Sequence, residues 1–168
     1  MSGIIIQGSA RKDGNTSLIS AELSQLTGFD VVHLSEYDIK HFDYAFQNQD
    51  DDFPLLIRKI ADQYQTLIFV TPVYWYAMSG MMKVFFDRIS DCLHFDKETG
   101  RKFRGKNLAA VSSSGEQTNF KEFFLPFSKS AEYLGMKYLG DTHTWIANGS
   151  LSEEVKQNLS TFVKDKIN

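Results

Sequence analysis

Gly8-Ser9-Ala10-Arg11-Lys12-Asp13-Gly14-Asn15-Thr16-Ser17 is the stretch on which the chain turns. An apolar run, Ile4-Ile5-Ile6, precedes it. A helical pattern, Ile19, Leu23 and Leu26 at i, i+4 and i+7, follows it. The ten residues therefore join a strand to a helix. They carry two glycines, hydroxyls at Ser9, Thr16 and Ser17, an amide at Asn15, and the cations Arg11 and Lys12. The first turn of a helix presents free N–H groups, and the macrodipole adds roughly half a positive charge there. Such a loop suits an anion. Each charge-assisted hydrogen bond to a phosphate contributes about 1.5–3 kcal/mol. The simpler alternative is an ordinary capped turn with Asn15 or Gly14 as N-cap. A Walker A loop is excluded, because Gly14 is followed by Asn15 and not by Lys-Ser or Lys-Thr. A dinucleotide fingerprint is excluded too, because it needs glycine where Ala10 stands. A single terminal phosphate fits best.

Outward from this loop the chain alternates. Phe29 to Leu34 reads as a second strand, and Ser35 to Asp52 as a polar loop. Asp50-Asp51-Asp52 and Pro54 mark the start of a helix striped by Ile57, Ile60, Ala61 and Tyr64. The acidic run reads as charge at that helix's N-terminus, with a metal site as the alternative. Thr66 to Thr71 is apolar enough for a strand buried on both faces of a parallel sheet. Ser79-Gly80 opens a helix with Met82, Phe85, Phe86 and Ile89 on one stripe, and Cys92 further along it reads as a packing residue. Asp96 to Lys106 reads as a basic loop, Leu108 to Val111 as the fourth strand. A helix follows with Phe120, Phe123, Phe124 and Phe127 on one face, kinked or restarted at Pro126. Met136 to Ile146 holds the fifth strand, and Ser150 to Glu153 is a capping box for the last helix. The pattern predicts an α/β three-layer sandwich: one domain over residues 1–168, built on a five-stranded parallel sheet in the order 2-1-3-4-5.

Composition narrows the partners. A net charge of −3 argues against nucleic acid, which requires a positive field. The single cysteine excludes an intrachain disulfide and a cysteine metal cluster. No apolar run reaches membrane-spanning length, and Ile4–Ile6 is too short for a signal peptide, so a cytoplasmic protein is expected. His33, His41, His94 and His143 lack ligand spacing and read as structural or surface residues.

In sheets of this kind ligands bind outside the carboxyl ends of the strands. Three loops there carry unusual chemistry: the proposed phosphate loop, the aromatic run Pro72-Val73-Tyr74-Trp75-Tyr76, and Ser112-Ser113-Ser114-Gly115 with Glu116. Strands one, three and four bear them and are neighbours in the predicted order. Together they describe a site for a flat aromatic phosphate ester. The aromatic triplet has another reading, as a lid of the core or an interface between copies.

Taken with Thr71-Pro72-Val73-Tyr74-Trp75-Tyr76-Ala77-Met78-Ser79-Gly80, the first loop resembles the NAD(P)H-dependent FMN reductase family of flavodoxin-like proteins, in the right order and over nearly the whole chain. The resemblance implies a flavodoxin-like fold, noncovalent FMN, NAD(P)H as electron donor and a homodimer or larger assembly. By position, Ser9, Arg11, Asn15, Thr16 and Ser17 would hold the FMN phosphate. Pro72, Val73, Tyr74, Trp75 and Tyr76 would contact the isoalloxazine, and Ser113 and Gly115 its pyrimidine edge. Some relatives carry a cysteine cluster for iron and sulfur before the second helix; residues 38–52 hold no cysteine, so that centre is excluded. The implied activity is transfer of reducing equivalents from NAD(P)H through FMN to a small acceptor such as a quinone, a flavin, or a nitro or azo aromatic. No side-chain acid or base is obligatory, and no catalytic residue is named. The basic loop Lys97 to Lys106 reads as solvated, or alternatively as a seat for the extra phosphate of NADPH. The rivals are a flavodoxin-type electron carrier and a flavin-bearing regulatory protein whose partner surface would be the Phe120–Phe127 stripe.

Overall fold

The computed structural model describes residues 2–117 and 121–167. Five parallel strands form the sheet: β1 (Gly3–Gln7), β2 (Asp30–His33), β3 (Thr66–Tyr74), β5 (Asn107–Ser114) and β6 (Lys137–Trp145). Their order is β2-β1-β3-β5-β6, the expected 2-1-3-4-5 of the parallel strands. The one addition is β4, only Ala77–Met78, which folds back antiparallel on the end of β3. The helices are α1 (Asn15–Thr27), α2 (Phe53–Gln63), α3 (Gly80–His94), α4 (Lys97–Arg101), α5 (Leu125–Leu134) and α6 (Glu153–Phe162).

Strand alternation divides the core in two. Ile4, Ile6, Leu67, Phe69, Leu108 and Ala110 face α2, α3 and α5, and meet Phe53, Phe85 and Phe127. Ile5, Ile68, Val70, Ala109 and Val111 face α1 and α6, and meet Ile19, Leu23, Val155 and Leu159. Side chains on successive strand residues point to opposite faces, so one apolar run serves both layers. The central strands are accordingly buried throughout most of their length, while the edge strands β2 and β6 are mixed.

Several local expectations need correction. Asp96 to Lys106 is not all loop: α4 forms within it, with the Asp96 carboxylate accepting from the Thr99 amide at 3.3 Å. Gly100 conceals this helix in the sequence, yet it is what allows it to pack. A Cβ there would sit 2.3 Å from the Cys92 carbonyl oxygen. The last helix is capped by Ser152, not Ser150, through a 3.3 Å bond from the Val155 amide. Pro126 marks a restart: a 3₁₀ turn over Lys121–Phe124 gives way to α5. Phe123, Phe124 and Phe127 are buried in the core and form no partner surface; Phe120 lies outside the described residues.

In the acidic run Asp50 and Asp52 are exposed at the start of α2, as expected, but Asp51 is not. Asp51 is buried and paired with the guanidinium of Arg88, itself fully buried on α3 and also bonded to Asp91 at 2.8 Å. Arg88 donates further to the carbonyls of Lys40 and Asn48, at 3.0 and 2.6 Å. Asp51 accepts from the amides of Lys40 and Phe53, and Gln49 donates to Asp91. One arginine thus fastens the long connection before α2 onto α3. Among the described residues no cluster of His, Cys, Asp or Glu is arranged to hold a metal, and no helix is long and apolar enough to cross a membrane.

Burial alone would raise the Asp51 carboxyl, but the bonds from Arg88, Lys40 and Phe53 outweigh it and hold it below its usual range. Asp51→Ala leaves a buried guanidinium short of a partner. Urea titration should show a loss of about 3–5 kcal/mol. In the parent, this contribution should be intact at neutral pH and fade as pH falls below about 4, through the depressed folded-state value.

Candidate functional site

Gly14 is the N-cap of α1, extended at φ −87° and ψ −179°, with no side chain capping the helix. Its carbonyl accepts from Ser17 and Leu18, as in any helix start. The first-turn amides of Asn15 and Thr16 therefore have no side-chain acceptor, and they point along the helix axis out of its positive end. The side chains around them settle the rest of the loop. Ser9 is buried and its hydroxyl lies 3.4 Å from both the amide and the carbonyl of Arg11. Ser17 accepts from the Gln7 amide at 2.9 Å, and Asn15 donates to the Ile146 carbonyl at 3.1 Å. Lys12 turns away to Glu36, at 3.0 Å. Arg11 stays exposed at the mouth.

A single hydroxyl ties this loop to the next. Ser79, the buried N-cap of α3, donates to the Gly8 carbonyl at 2.6 Å and accepts from the Met82 amide at 3.0 Å. Its own amide donates to Thr71 Oγ1 at 3.0 Å. The helix start packs so closely that a Cβ on Gly8 would lie 2.8 Å from both Cβ and Cε of Met82. Between Thr71 and Ser79 the chain makes a two-residue hairpin: Tyr74 pairs with Ala77, and Trp75 and Tyr76 both adopt left-handed backbone, φ 49° and 62°. That is the signature of a type I′ turn, normally made by Asn and Gly. Its tip is exposed, Trp75 by 93% and Tyr76 by 77%.

The third wall is the end of β5. Ser112 is fully buried, Ser114 half-buried, and Gly115 and Glu116 exposed. His143 on β6 reaches across to them. Its Nδ1 is 2.7 Å from Ser112 Oγ; its Nε2 is 3.2 Å from Ser114 Oγ and 3.1 Å from the Glu116 carbonyl. Burial pushes the imidazole below its usual value, and the bond to Glu116 only partly offsets it. No spacing along the chain relates His143 to Ser112, thirty-one positions away in an adjacent strand, so the sequence alone reads it as a structural or surface residue.

Because β1, β3 and β5 are neighbours, the three walls enclose one cleft of about 230 Å³. Ser9, Arg11, Asn15 and Thr16 line one end, Pro72, Val73 and Tyr74 the middle, and Ser113 and Gly115 the other end, with Gly14 and Ser114 joining them. Among the described residues no carboxylate lines it. Of the residues singled out in the sequence, Ser17 lies behind the loop, bonded to Gln7, and Trp75 and Tyr76 stand at the hairpin tip outside the lining. The donor set, backbone amides with hydroxyls and a guanidinium, matches a phosphate. The basic loop is elsewhere. From the cleft, α3 runs back for fifteen residues, about 22 Å, to the opposite edge of the sheet. There Lys102 pairs with Asp62 at 2.8 Å and Lys106 donates to the Tyr64 carbonyl at 2.6 Å. The basic loop therefore lies about one helix length from the cleft.

A family model described as NADPH-dependent FMN reductase matches residues 1–150. Among curated proteins, YwqN of Bacillus subtilis (strain 168), named among NAD(P)H-dependent FMN-containing oxidoreductases, is 30% identical over 148 residues, which is 81% of this chain and 80% of YwqN. Among solved structures, the Trp repressor binding protein of Bacillus subtilis superposes with a TM-score of 0.77 at 21% identity, over 98% of this chain and 97% of that one. The general stress protein 14 of Treponema denticola, solved in complex with FMN, gives 0.64 at 16% identity, over 99% and 96%.

The clasp at Gly8 makes a direct prediction. Gly8→Ala forces a methyl into Met82, and the first turn of α3 must retreat. Chemical denaturation should show a loss of about 1–3 kcal/mol, the usual range for overpacking. A variant as stable as the parent would show that the approach is not tight.

Proposed function

The chain belongs to the NADPH-dependent FMN reductase family, and on that premise we propose that the cleft at the carboxyl edge of the sheet is where it holds FMN. The observation that carries this is the uncapped N-terminus of α1, which opens, with its hydroxyls and Arg11, into the same cleft as Tyr74 and the small residues ending β5. The phosphate is assigned to Ser9, Arg11, Asn15 and Thr16, with Ser17, expected from the sequence to join them, standing behind the loop on Gln7. The ring system is assigned to Pro72, Val73 and Tyr74, with Trp75 and Tyr76 above it at the hairpin tip, and its pyrimidine edge to Ser113 and Gly115. The lack of any carboxylate among the described lining residues supports an anionic ligand.

When bound, FMN supplies the redox chemistry, taking reducing equivalents from NAD(P)H and releasing them to an acceptor. The residues of the chain bind and orient. The α1 amides, the hydroxyls and Arg11 anchor the phosphate, and that anchor fixes how far the rings extend along the sheet edge. Tyr74, half-exposed, offers a face for stacking. Small residues at Ser113 and Gly115 would let backbone amides approach the ring edge of bound FMN and donate hydrogen bonds to it. An acceptor then needs only a flat shape able to enter beneath the hairpin: a quinone, a flavin, or a nitro or azo aromatic. A homodimer is part of this proposal. Its support is an apolar groove of about 360 Å³ between α3 and α5, floored by Phe86, Ile89 and Leu93 and flanked by exposed Tyr133. The continuous sheet, covered on both faces, supports one domain over residues 1–168.

The visible spectrum of the purified protein, recorded with and without NADPH in the absence of oxygen, tests the activity. Flavin bands that bleach promptly are expected. Bands that persist with both NADPH and NADH would instead favour an electron carrier. The site has its own test in the double variant Arg11→Ala, Thr16→Ala. Two charge-assisted bonds lost amount to about 3–6 kcal/mol, so FMN should bind at least about 100-fold more weakly to an unchanged fold. Retention equal to the parent would overturn the loop assignment.

A further inference from the structure

Gly115 and Glu116 follow the last residue of β5, beyond the sheet's hydrogen-bond ladder. What holds them is made of side chains. Ser114 donates to the Glu116 carbonyl at 2.7 Å and lies 3.2 Å from the Glu116 amide. The ring of His143 spans the same turn from the neighbouring strand. A carbonyl oxygen only accepts, so Nε2 carries the proton and shares it between the Glu116 carbonyl and Ser114 Oγ. In a neutral ring, Nδ1 then accepts from the Ser112 hydroxyl. Trp145 lies against the imidazole, with centroids 6.4 Å apart and planes 23° from parallel. The opposite end of the cleft joins the same frame. The Ile146 amide donates to the Ser114 carbonyl at 3.0 Å, and the Ile146 carbonyl accepts from Asn15.

His143 itself does not line the cleft. It stands behind Ser113, Ser114 and Gly115, which do. We propose that His143 is a positioning residue for the cofactor: bonded at both ring nitrogens, it fixes the turn that leaves β5, residues 114–116, in the shape that receives the ring edge of the flavin. This rests on the assignment of FMN to the cleft. Without the imidazole, residues 112–114 stay in the β5 ladder, but among the described residues Gly115 and Glu116 keep only the Ser114 bonds and become free to swing away from the ligand. The amides that approach the ring edge would then be lost in part, and both affinity and reduction potential would change.

The test compares His143→Ala and His143→Gln, with Arg11→Ala as reference. Apoprotein of each is titrated with FMN by flavin fluorescence, and the midpoint potential and visible spectrum of each complex are recorded. His143→Ala should bind FMN about 10-fold more weakly, as expected for loss of bonds worth about 1.4 kcal/mol, with a displaced potential. His143→Gln, whose amide can still donate to the Glu116 carbonyl, should recover part of both. Unchanged affinity, spectrum and potential in both variants, with Arg11→Ala weakened, would overturn the role of His143 and leave the cleft assignment standing. Equal losses in the Ala and Gln variants would overturn it too, because volume and not hydrogen bonding would then matter. If Arg11→Ala also bound FMN like the parent, the cleft assignment itself would fail.

Discussion

The Ser79 hydroxyl is the bond on which the geometry of the cleft depends. It donates to the carbonyl that opens the β1–α1 loop and accepts from the first turn of α3, while its amide is held by Thr71 at the end of β3. Two walls of the cleft are therefore fixed to one another by one buried side chain. A buried hydroxyl without partners would be costly; with its donor and an acceptor lone pair both used, it rigidifies the junction. Gly8 makes the arrangement possible, because only a residue without a Cβ lets α3 start that close to the loop. Position, not reactivity, is what this corner of the fold supplies.

A second polar centre works at greater depth. Arg88 has Phe53 beneath its guanidinium, 4.8 Å away, two carboxylates beside it and two carbonyls at its tips. Replacing such a network with apolar packing can be neutral or even stabilising, so its presence is weak evidence for stability in itself. What it does provide is a defined course for the connection between β2 and α2. That connection holds Phe42, Tyr44 and Phe46 in edge contacts and would otherwise have little backbone pairing to hold it. The network uses α3 as its anchor. The same helix thus locates the cleft at its first turn and the long loop two turns later.

Most of the architecture was legible in the sequence, because it follows from periodicity. Apolar runs such as Ile4–Ile6 and Leu67–Val70 can be read as doubly buried strands, and the stripes on α1, α2 and α3 as their cover. The three loops at one edge were legible for the same reason: their chemistry is written in consecutive residues. What escaped was what consecutive residues cannot show. Arg88 and Asp51 are thirty-seven positions apart, and a charge on the apolar stripe of α3 reads as an interruption until its partners are folded around it. His143 meets Ser112 only through the β5–β6 register. In α4, Gly100 argues against a helix locally and is required by the Cys92 carbonyl it packs on.

The hairpin above the cleft breaks a local rule that, among the other described residues without glycine's freedom, only Phe46 also breaks. Trp75 and Tyr76 hold left-handed backbone that glycine or asparagine would adopt freely, at a cost of order 1–3 kcal/mol each. The pairing of Val73 with Met78 and Tyr74 with Ala77, closed off by Ser79, is enough to enforce it. Asn-Gly at the tip would make a more stable turn but would present no apolar surface. With the aromatic pair, two large side chains stand in water at the edge of the cleft, and nothing in the core is gained by their being there. Strain and exposure together suit the ring contact proposed for the tip, and a turn forced by its flanking bonds would keep those rings in place before a ligand arrives. Arg11 and the α1 terminus supply the complementary end, a positive corner on a chain of net charge −3. A ligand that carries both a phosphate and a flat ring system satisfies both ends at once, which neither inorganic phosphate nor an uncharged aromatic can do.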